Sequence, residues 1–264
     1  MRIVTITGNH LRHNYFLSSI SNHFDIEGSV INGREKIIPE PPAGLSSIDK
    51  ENFINHFQTR DEKEISYFYE KVKKNVKNQL NIVPDELNTN KTARFIESCS
   101  PDLVFIFGVG MIKSPLLDVL PKYTINMHGG LSPRYRGSAT LFWPFYFLEP
   151  AYAGMTFHYI TSEPDAGNII HQVVPKLKQG DGIHDVGCKA VLSGTNGVIE
   201  LISSYQKKGD FKSHKQKGTG KNFLASDFKV EHLRLIYNTF NDDIVDHFLK
   251  GKISKKIPKL IRQF

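Results

Sequence analysis

Residues 102–108 read DLVFIFG, a nearly continuous apolar run held between Pro101 and Gly108. A strand that is apolar at every position is buried on both faces, as happens inside a parallel sheet covered by helices. That run therefore excludes an open antiparallel sandwich and asks for α/β layering. The rest of the chain answers in kind. RIVTIT (2–7) is a β-branched run ended by Gly8-Asn9, and LRHNYFLSSISNHF carries Leu11, Tyr15, Phe16, Ile20 and Phe24 at helical spacing. IEGSVIN (26–32) and YTINMH (123–128) read as further strands. AGMTFHYIT and IIHQVVP read as a short antiparallel pair joined through SEPDAGN.

Helices are expected over DEKEISYFYEKVKKNVKNQL (61–80), acidic at its start and basic later, and over the short SPLLDVLP. GSATLFWPFYFLE reads as a helix that Pro144 must kink or begin. A long helix runs from Gly182 to about Gln206, and another covers 228–251. Residues 33–60 read as a loop with a short helix. The expected architecture is α/β, a doubly wound, mostly parallel sheet over roughly residues 1–180 flanked by helices, with a mainly helical extension after it.

In such sheets ligands sit beyond the carboxyl ends of the strands. Two polar residues, Asn126 and His128, stand two apart at one such end and so share a face. They lead directly into GGLSPRYRG, and Asp165 follows in the loop between the two later strands. An imidazole moves protons near neutral pH, a carboxylate orients it and stabilises its charged form, and an amide donates to an oxyanion. With only Ser132 and Ser138 near, the set suits a nucleophile brought by the substrate, such as an amine attacking an acyl group. On pattern alone the same residues also read as turn chemistry with a satisfied histidine.

The blocks FGVGMIKSPLLDVLPKY, INMHGGLSPRYRG and FHYITSEPDAGNIIHQVVPKLKQGD resemble the formyltransferases that use 10-formyltetrahydrofolate: Asn-x-His, a Gly/Pro-rich loop, then an Asp-x-Gly turn, with Asp165 37 positions after His128. The resemblance covers roughly residues 100–182; the first ninety residues match only as a generic Rossmann-like start. It implies a Rossmann-like formyltransferase domain over 1–182 and a helical extension over 183–264. It also implies that Asn126 stabilises the oxyanion, that His128 transfers protons, and that Asp165 holds the histidine. The backbone of Gly110, Met111 and Ile112 would receive the pterin ring, and the loop containing Thr161, Ser162 and Glu163 would close over it. Gly8, Asn9, Arg12, Tyr135 and Arg136 would meet the acceptor. No metal is implied. The loop departs from the family's Ser-Leu-Leu-Pro spelling, having Gly130-Leu131-Ser132-Pro133 instead.

The amine is less legible. A net charge of +7 favours an anionic partner. Methionyl-tRNA formyltransferases share PRYRG but carry a C-terminal barrel, whereas this chain reads as helices after 182. Glycinamide ribonucleotide formyltransferases carry a glycine-rich loop after the first strand, where this chain has one glycine. The reading is therefore transfer to the amino group of a nucleotide-linked amino sugar, with nucleic acid not expected. The alternatives are those two transferases, a formyltetrahydrofolate hydrolase and a non-catalytic folate-binding protein. With two cysteines, no long apolar segment and a strand-like amino terminus, a cytoplasmic protein is expected. A homodimer through the apolar face of 230–249 stays open.

Overall fold

The computed structural model describes residues 1–33, 38–72, 76, 78–218 and 220–264. Its centre is a seven-stranded sheet in the order β3-β2-β1-β4-β5-β7-β8. β1 (Ile3–Gly8), β2 (Ile26–Asn32), β3 (Gln79–Ile82), β4 (Leu103–Phe107) and β5 (Tyr123–Gly129) run parallel. β6 (Tyr135–Gly137) lies apart and pairs with β9 (Lys221–Phe223). β7 (Met155–Tyr159) and β8 (Ile169–Val173) complete the main sheet in antiparallel sense. The helices are α1 (Leu11–Ser21), α2 (Ser47–Phe68), α3 (Asn90–Cys99), α4 (Trp143–Tyr146), α5 (Ile183–Lys208) and α6 (Ile244–Leu249).

The apolar run that opened the chain's reading behaves as its composition requires. Leu103, Phe105 and Phe107 face one layer with Phe16, Ile20, Val198 and Leu201 from α1 and α5. Val104 and Ile106 face the other, with Ile96 and Cys99 of α3. Successive side chains on a strand point to opposite faces, so an all-apolar strand can only sit between two apolar layers. Strand order reverses between β1 and β4, which opens a crevice at their carboxyl ends. There the His13 ring lies so close that a β-carbon on Gly108, whose φ is +71°, would stand 2.0 Å from Nε2. Only glycine lets the ring into that gap.

Several expected elements change. α2 begins at Ser47, inside the stretch expected to be a loop with only a short helix, because the Ser46 hydroxyl caps it by accepting the Asp49 N–H. It ends at Phe68, with a 3₁₀ turn to Lys71, so the expected helix over 61–80 stops early; its positions 73–75 and 77 lie outside the described residues, and Gln79–Leu80 join β3. Pairing with β2 overrides helical propensity there. The 114–121 helix shrinks to a 3₁₀ turn over Leu117–Val119, and the 137–149 helix to α4, with Pro144 in its first turn. The single helix expected over 228–251 breaks into a 3₁₀ turn, a π turn and α6, because Asn241 and Asp242 take positive φ. That bend lets the Asp242 carboxylate accept the Ile183 N–H at the start of α5. α5, assigned to the extension by sequence, packs its apolar face on the main sheet.

Candidate active site

β5 ends with the Asn126 and His128 side chains at the crevice, and β7 lies antiparallel beside it. Their register sets Asn126 directly opposite His158. Asp165, in the β7–β8 loop at a φ of +47°, turns its carboxylate back onto all three. Oδ1 lies 3.3 Å from Asn126 Nδ2, which donates to it, and 3.3 Å from His158 Nε2. Oδ2 accepts the Gly137 N–H at 2.8 Å and lies 3.3 Å from His128 Nδ1. A β-carbon on Gly137, whose φ is +89°, would meet the Phe223 carbonyl oxygen at 2.1 Å, so this donor position requires glycine.

The hydrogen bonds assign the protons. His128 Nε2 donates to the Tyr135 carbonyl at 2.9 Å, which leaves Nδ1 as a lone pair facing Asp165 when the ring is neutral. His158 Nδ1 donates to the Tyr159 carbonyl at 2.8 Å, so its Nε2 accepts from Asn126 Nδ2 at 3.3 Å. Burial holds His128 below its ordinary 6.5, with Asp165 pulling the other way. Burial pushes the Asp165 carboxyl up, but His128, His158 and the Gly137 N–H outweigh it and hold the group well below the usual carboxylate range. An ionised carboxylate beside a neutral imidazole is a base whose protonated form is already matched: a proton taken at Nδ1 turns a lone-pair contact into an ion pair.

These groups line a cavity of about 720 Å³. Gly110, Met111 and Ile112 form part of its wall, and Asn88 pins that loop by donating to the Met111 carbonyl and accepting the Lys113 N–H. Thr161 and Glu163 line it, tied by a bond from the Thr161 hydroxyl to the Glu163 carbonyl; Ser162 does not. The structure thus brings Asn126, His128, Asp165, Gly110, Met111, Ile112, Thr161 and Glu163 to one cavity.

The expected acceptor residues fare differently. Arg12 lines the cavity, but its guanidinium is ion-paired with buried Glu64 of α2. Gly8 and Asn9 lie off the wall; Gly8 sits under the His13 ring. The Tyr135 ring is buried, donating from its hydroxyl to Glu149, and only its carbonyl reaches the site. Arg136 donates to the Gly220 carbonyl rather than lining the cavity. The Tyr135 hydroxyl turns inward to Glu149, 4 % exposed, which also accepts from both arms of Arg134 and from the Lys256 ammonium. His158 was missed by sequence reasoning. Its signal is a lone imidazole in the apolar strand GMTFHYI, and it becomes meaningful only once the β5–β7 register is known.

Among the described residues no group of three or more His, Cys, Asp or Glu side chains could hold a metal ion, and no helix is long and apolar enough to cross a membrane. Both cysteines are free and buried.

A sequence family described as Formyl transferase matches residues 55–202. The bifunctional polymyxin resistance protein ArnA of Wigglesworthia glossinidia brevipalpis is 30% identical over 169 residues, which cover 60% of this chain and 26% of that protein. Methionyl-tRNA formyltransferase of Borreliella afzelii (strain PKo) is 27% identical over 198 residues, covering 73% of this chain and 57% of that enzyme. The chain therefore matches well under two thirds of either relative's length. Among solved structures, the formyltransferase PseJ of Anoxybacillus kamchatkensis shares the fold with a TM-score of 0.51 at 16% identity, over 92% of this chain and 96% of that one. That structure is of a complex with UDP-4,6-dideoxy-4-formamido-L-AltNAc and tetrahydrofolate.

Proposed function

The chain belongs to the formyl transferase family, and from its site we propose that it moves a formyl group from 10-formyltetrahydrofolate to the amino group of a nucleotide-linked amino sugar. The observation that carries the reading is the convergence of Asn126, His128 and Asp165 on the wall of one cavity, with His128 Nδ1 beside an ionised carboxylate. Among the described residues no side chain there is set up as a covalent nucleophile. Ser138 lines the cavity, and the Ser132 hydroxyl is buried off it. The attacking atom is then the acceptor's nitrogen.

The amine attacks the formyl carbon, forming the new C–N bond and pushing the carbonyl electrons onto oxygen. Asn126 lines the cavity, and one of its two N–H groups turns from Asp165 or His158 to donate to that oxyanion. His128 Nδ1 takes the proton the nitrogen loses, and the resulting imidazolium donates to Asp165 and to the Tyr135 carbonyl. Collapse of the intermediate breaks the bond to the folate N10, which leaves with a proton returned from His128. The products are the formamide and tetrahydrofolate. The Asn126 amide, itself placed by His158, and the Gly137 N–H hold the Asp165 carboxylate in position. Gly110–Ile112 and the 161–165 loop receive the pterin end.

A nucleotide-sugar acceptor is the reading suggested by PseJ, a neighbour in fold whose structure is of a complex with such a molecule and tetrahydrofolate. The test is to supply purified protein with 10-formyltetrahydrofolate and a panel of nucleotide-linked amino sugars, glycinamide ribonucleotide and methionyl-tRNA. Tetrahydrofolate should be released only with an amino sugar. Release with water alone would make the protein a hydrolase, and release only with methionyl-tRNA would replace the acceptor.

A further inference from the structure

The loop from Gly130 to Gly137 carries a partner for each member of the His128–Asp165 pair: the Tyr135 carbonyl on His128 Nε2 and the Gly137 N–H on Asp165. The first partner does more than pack. His128 Nδ1 faces an ionised carboxylate at 3.3 Å, which by itself would draw the proton of the neutral ring to Nδ1. A ring protonated there has no lone pair left to take the proton of an amine. The Tyr135 carbonyl opposes this by accepting from Nε2 at 2.9 Å. Whatever holds that carbonyl in place holds the base in its working tautomer.

β9 pairs with Tyr135–Gly137. Two further holds on the loop lead to a segment that no motif marks, residues 252–264. The first runs through buried Gln172 of β8. Its amide NH₂ donates to the Ser132 carbonyl at 2.7 Å and to the Thr156 hydroxyl at 3.2 Å. That hydroxyl donates to the Gly130 carbonyl and accepts the Ser132 N–H. The amide oxygen of Gln172 accepts the Ile261 N–H at 3.1 Å, and the Gln172 N–H donates to the Ile261 carbonyl at 2.8 Å. Ile261 thereby fixes which way the amide faces. Turned over, it would aim its oxygen at the Ser132 carbonyl and its NH₂ at the Ile261 N–H.

The second hold runs through Glu149. Lys256 donates to it at 3.1 Å, and it accepts the Tyr135 hydroxyl at 2.8 Å. Burial pushes the Glu149 carboxyl up, but the Tyr135, Lys256 and Arg134 donors outweigh it and keep the group below its ordinary value. From 254 onward the segment has no helix or strand, and Ile257 is 70 % exposed. Among the described residues its hydrogen bonds end on Glu149, His171 and Gln172, all buried.

We propose that Ile261 and Lys256 are positioning residues for formyl transfer: through Gln172 and Glu149 they hold the 130–137 loop so that the Tyr135 carbonyl keeps the His128 proton on Nε2. The proposal rests on the formyl-transfer reading for its effect on rate. The tautomer is a property of the protein without substrates.

Three variants test it. Ile261→Pro removes one N–H and leaves the carbonyl, Lys256→Met removes the ammonium, and Lys256→Arg keeps a donor. In protein carrying ¹⁵N-labelled histidine, long-range ¹H–¹⁵N NMR at pH 8 reads each ring's tautomer, and the His128 signals are those lost in His128→Ala. The wild type should show Nε2–H at His128, and Ile261→Pro and Lys256→Met should show an Nδ1–H form. In both, kcat for tetrahydrofolate release should fall by at least about tenfold, as a small misplacement of reacting groups does, with the KM for the amine within about twofold of wild type. Lys256→Arg should restore both readouts. If Ile261→Pro does not fold, Lys256→Met carries the test, since its side chain is exposed. The proposal is overturned if wild-type His128 carries its proton on Nδ1, if a folded variant keeps the Nε2–H form and its kcat whatever its thermal midpoint, or if Lys256→Arg is as impaired as Lys256→Met. An Nε2–H form lost in the variants, without turnover of any amine by the wild type, leaves the brace standing and removes the transferase reading.

Discussion

Replacing Asp165 with asparagine removes one charge and changes almost no shape. Its effect follows from the four contacts of the carboxylate. In the transition state His128 carries a proton at Nδ1, 3.3 Å from Oδ2. At an effective dielectric near 20, two unit charges at that distance attract by about 5 kcal/mol. The Asp165→Asn amide keeps a hydrogen bond worth roughly 1 kcal/mol of that. The net loss, about 3–4 kcal/mol, corresponds to roughly 10²–10³ in kcat. The variant also creates a conflict at either end. An NH₂ in place of Oδ2 faces the Gly137 N–H donor, and one in place of Oδ1 faces the Asn126 NH₂. One donor therefore stays unsatisfied, which costs about 1–3 kcal/mol of stability, or about 3–10 °C in thermal midpoint. The assay is steady-state release of tetrahydrofolate with the accepted amine, alongside calorimetric binding of tetrahydrofolate. Folate affinity should change little, because the cavity wall at Gly110–Ile112, proposed to receive the pterin, is untouched. A kcat within tenfold of wild type would refute the charge assigned to Asp165.

His128→Ala should lose about two to four orders of magnitude in rate, and a near-native variant would remove His128 from proton transfer. Because burial keeps His128 below 6.5 and the neutral ring is the base, kcat/KM should fall on acidification with a midpoint below pH 6.5; an acid limb above that would place the base elsewhere. His158→Leu removes the acceptor for Asn126 and a neighbour of Asp165, so kcat should drop by roughly 10–100-fold with the amine KM little changed; a KM effect alone would contradict the positioning role. Asp242 is raised to about 6, first by burial, so its ionised form costs the folded state stability that is lost progressively as pH rises from about 4 through 6. Asp242→Asn, which keeps an acceptor for Ile183 and tolerates the positive φ, should stabilise the protein at pH 8 by about 1–3 kcal/mol and not at pH 4, as read by denaturant melts. Equal melts at both pH values would refute it.

Much of the fold was legible because buried strands write their environment into composition. DLVFIFG and RIVTIT needed two apolar layers, and the structure supplies them. The antiparallel turn-back of β7 and β8 followed from their short separation. What stayed hidden depended on distant partners. α2 starts at a serine cap inside a Pro- and Gly-rich stretch, and Arg12 is neutralised by Glu64, 52 residues away. The final helical pattern breaks because Asp242 caps α5. In the site, Asn126, His128 and Asp165 carried a motif, but His158 gains its place only from strand register. Tyr135 was expected to meet the acceptor, whereas its carbonyl is what touches the site.

The most direct measurement of the central claim follows the formyl group itself. Protein supplied with 10-formyltetrahydrofolate labelled with ¹³C on the formyl carbon, together with a nucleotide-linked amino sugar, should yield a ¹³C formamide resonance on the sugar nitrogen and an equal amount of tetrahydrofolate. Labelled formate appearing at the same rate with and without the amine would contradict transfer.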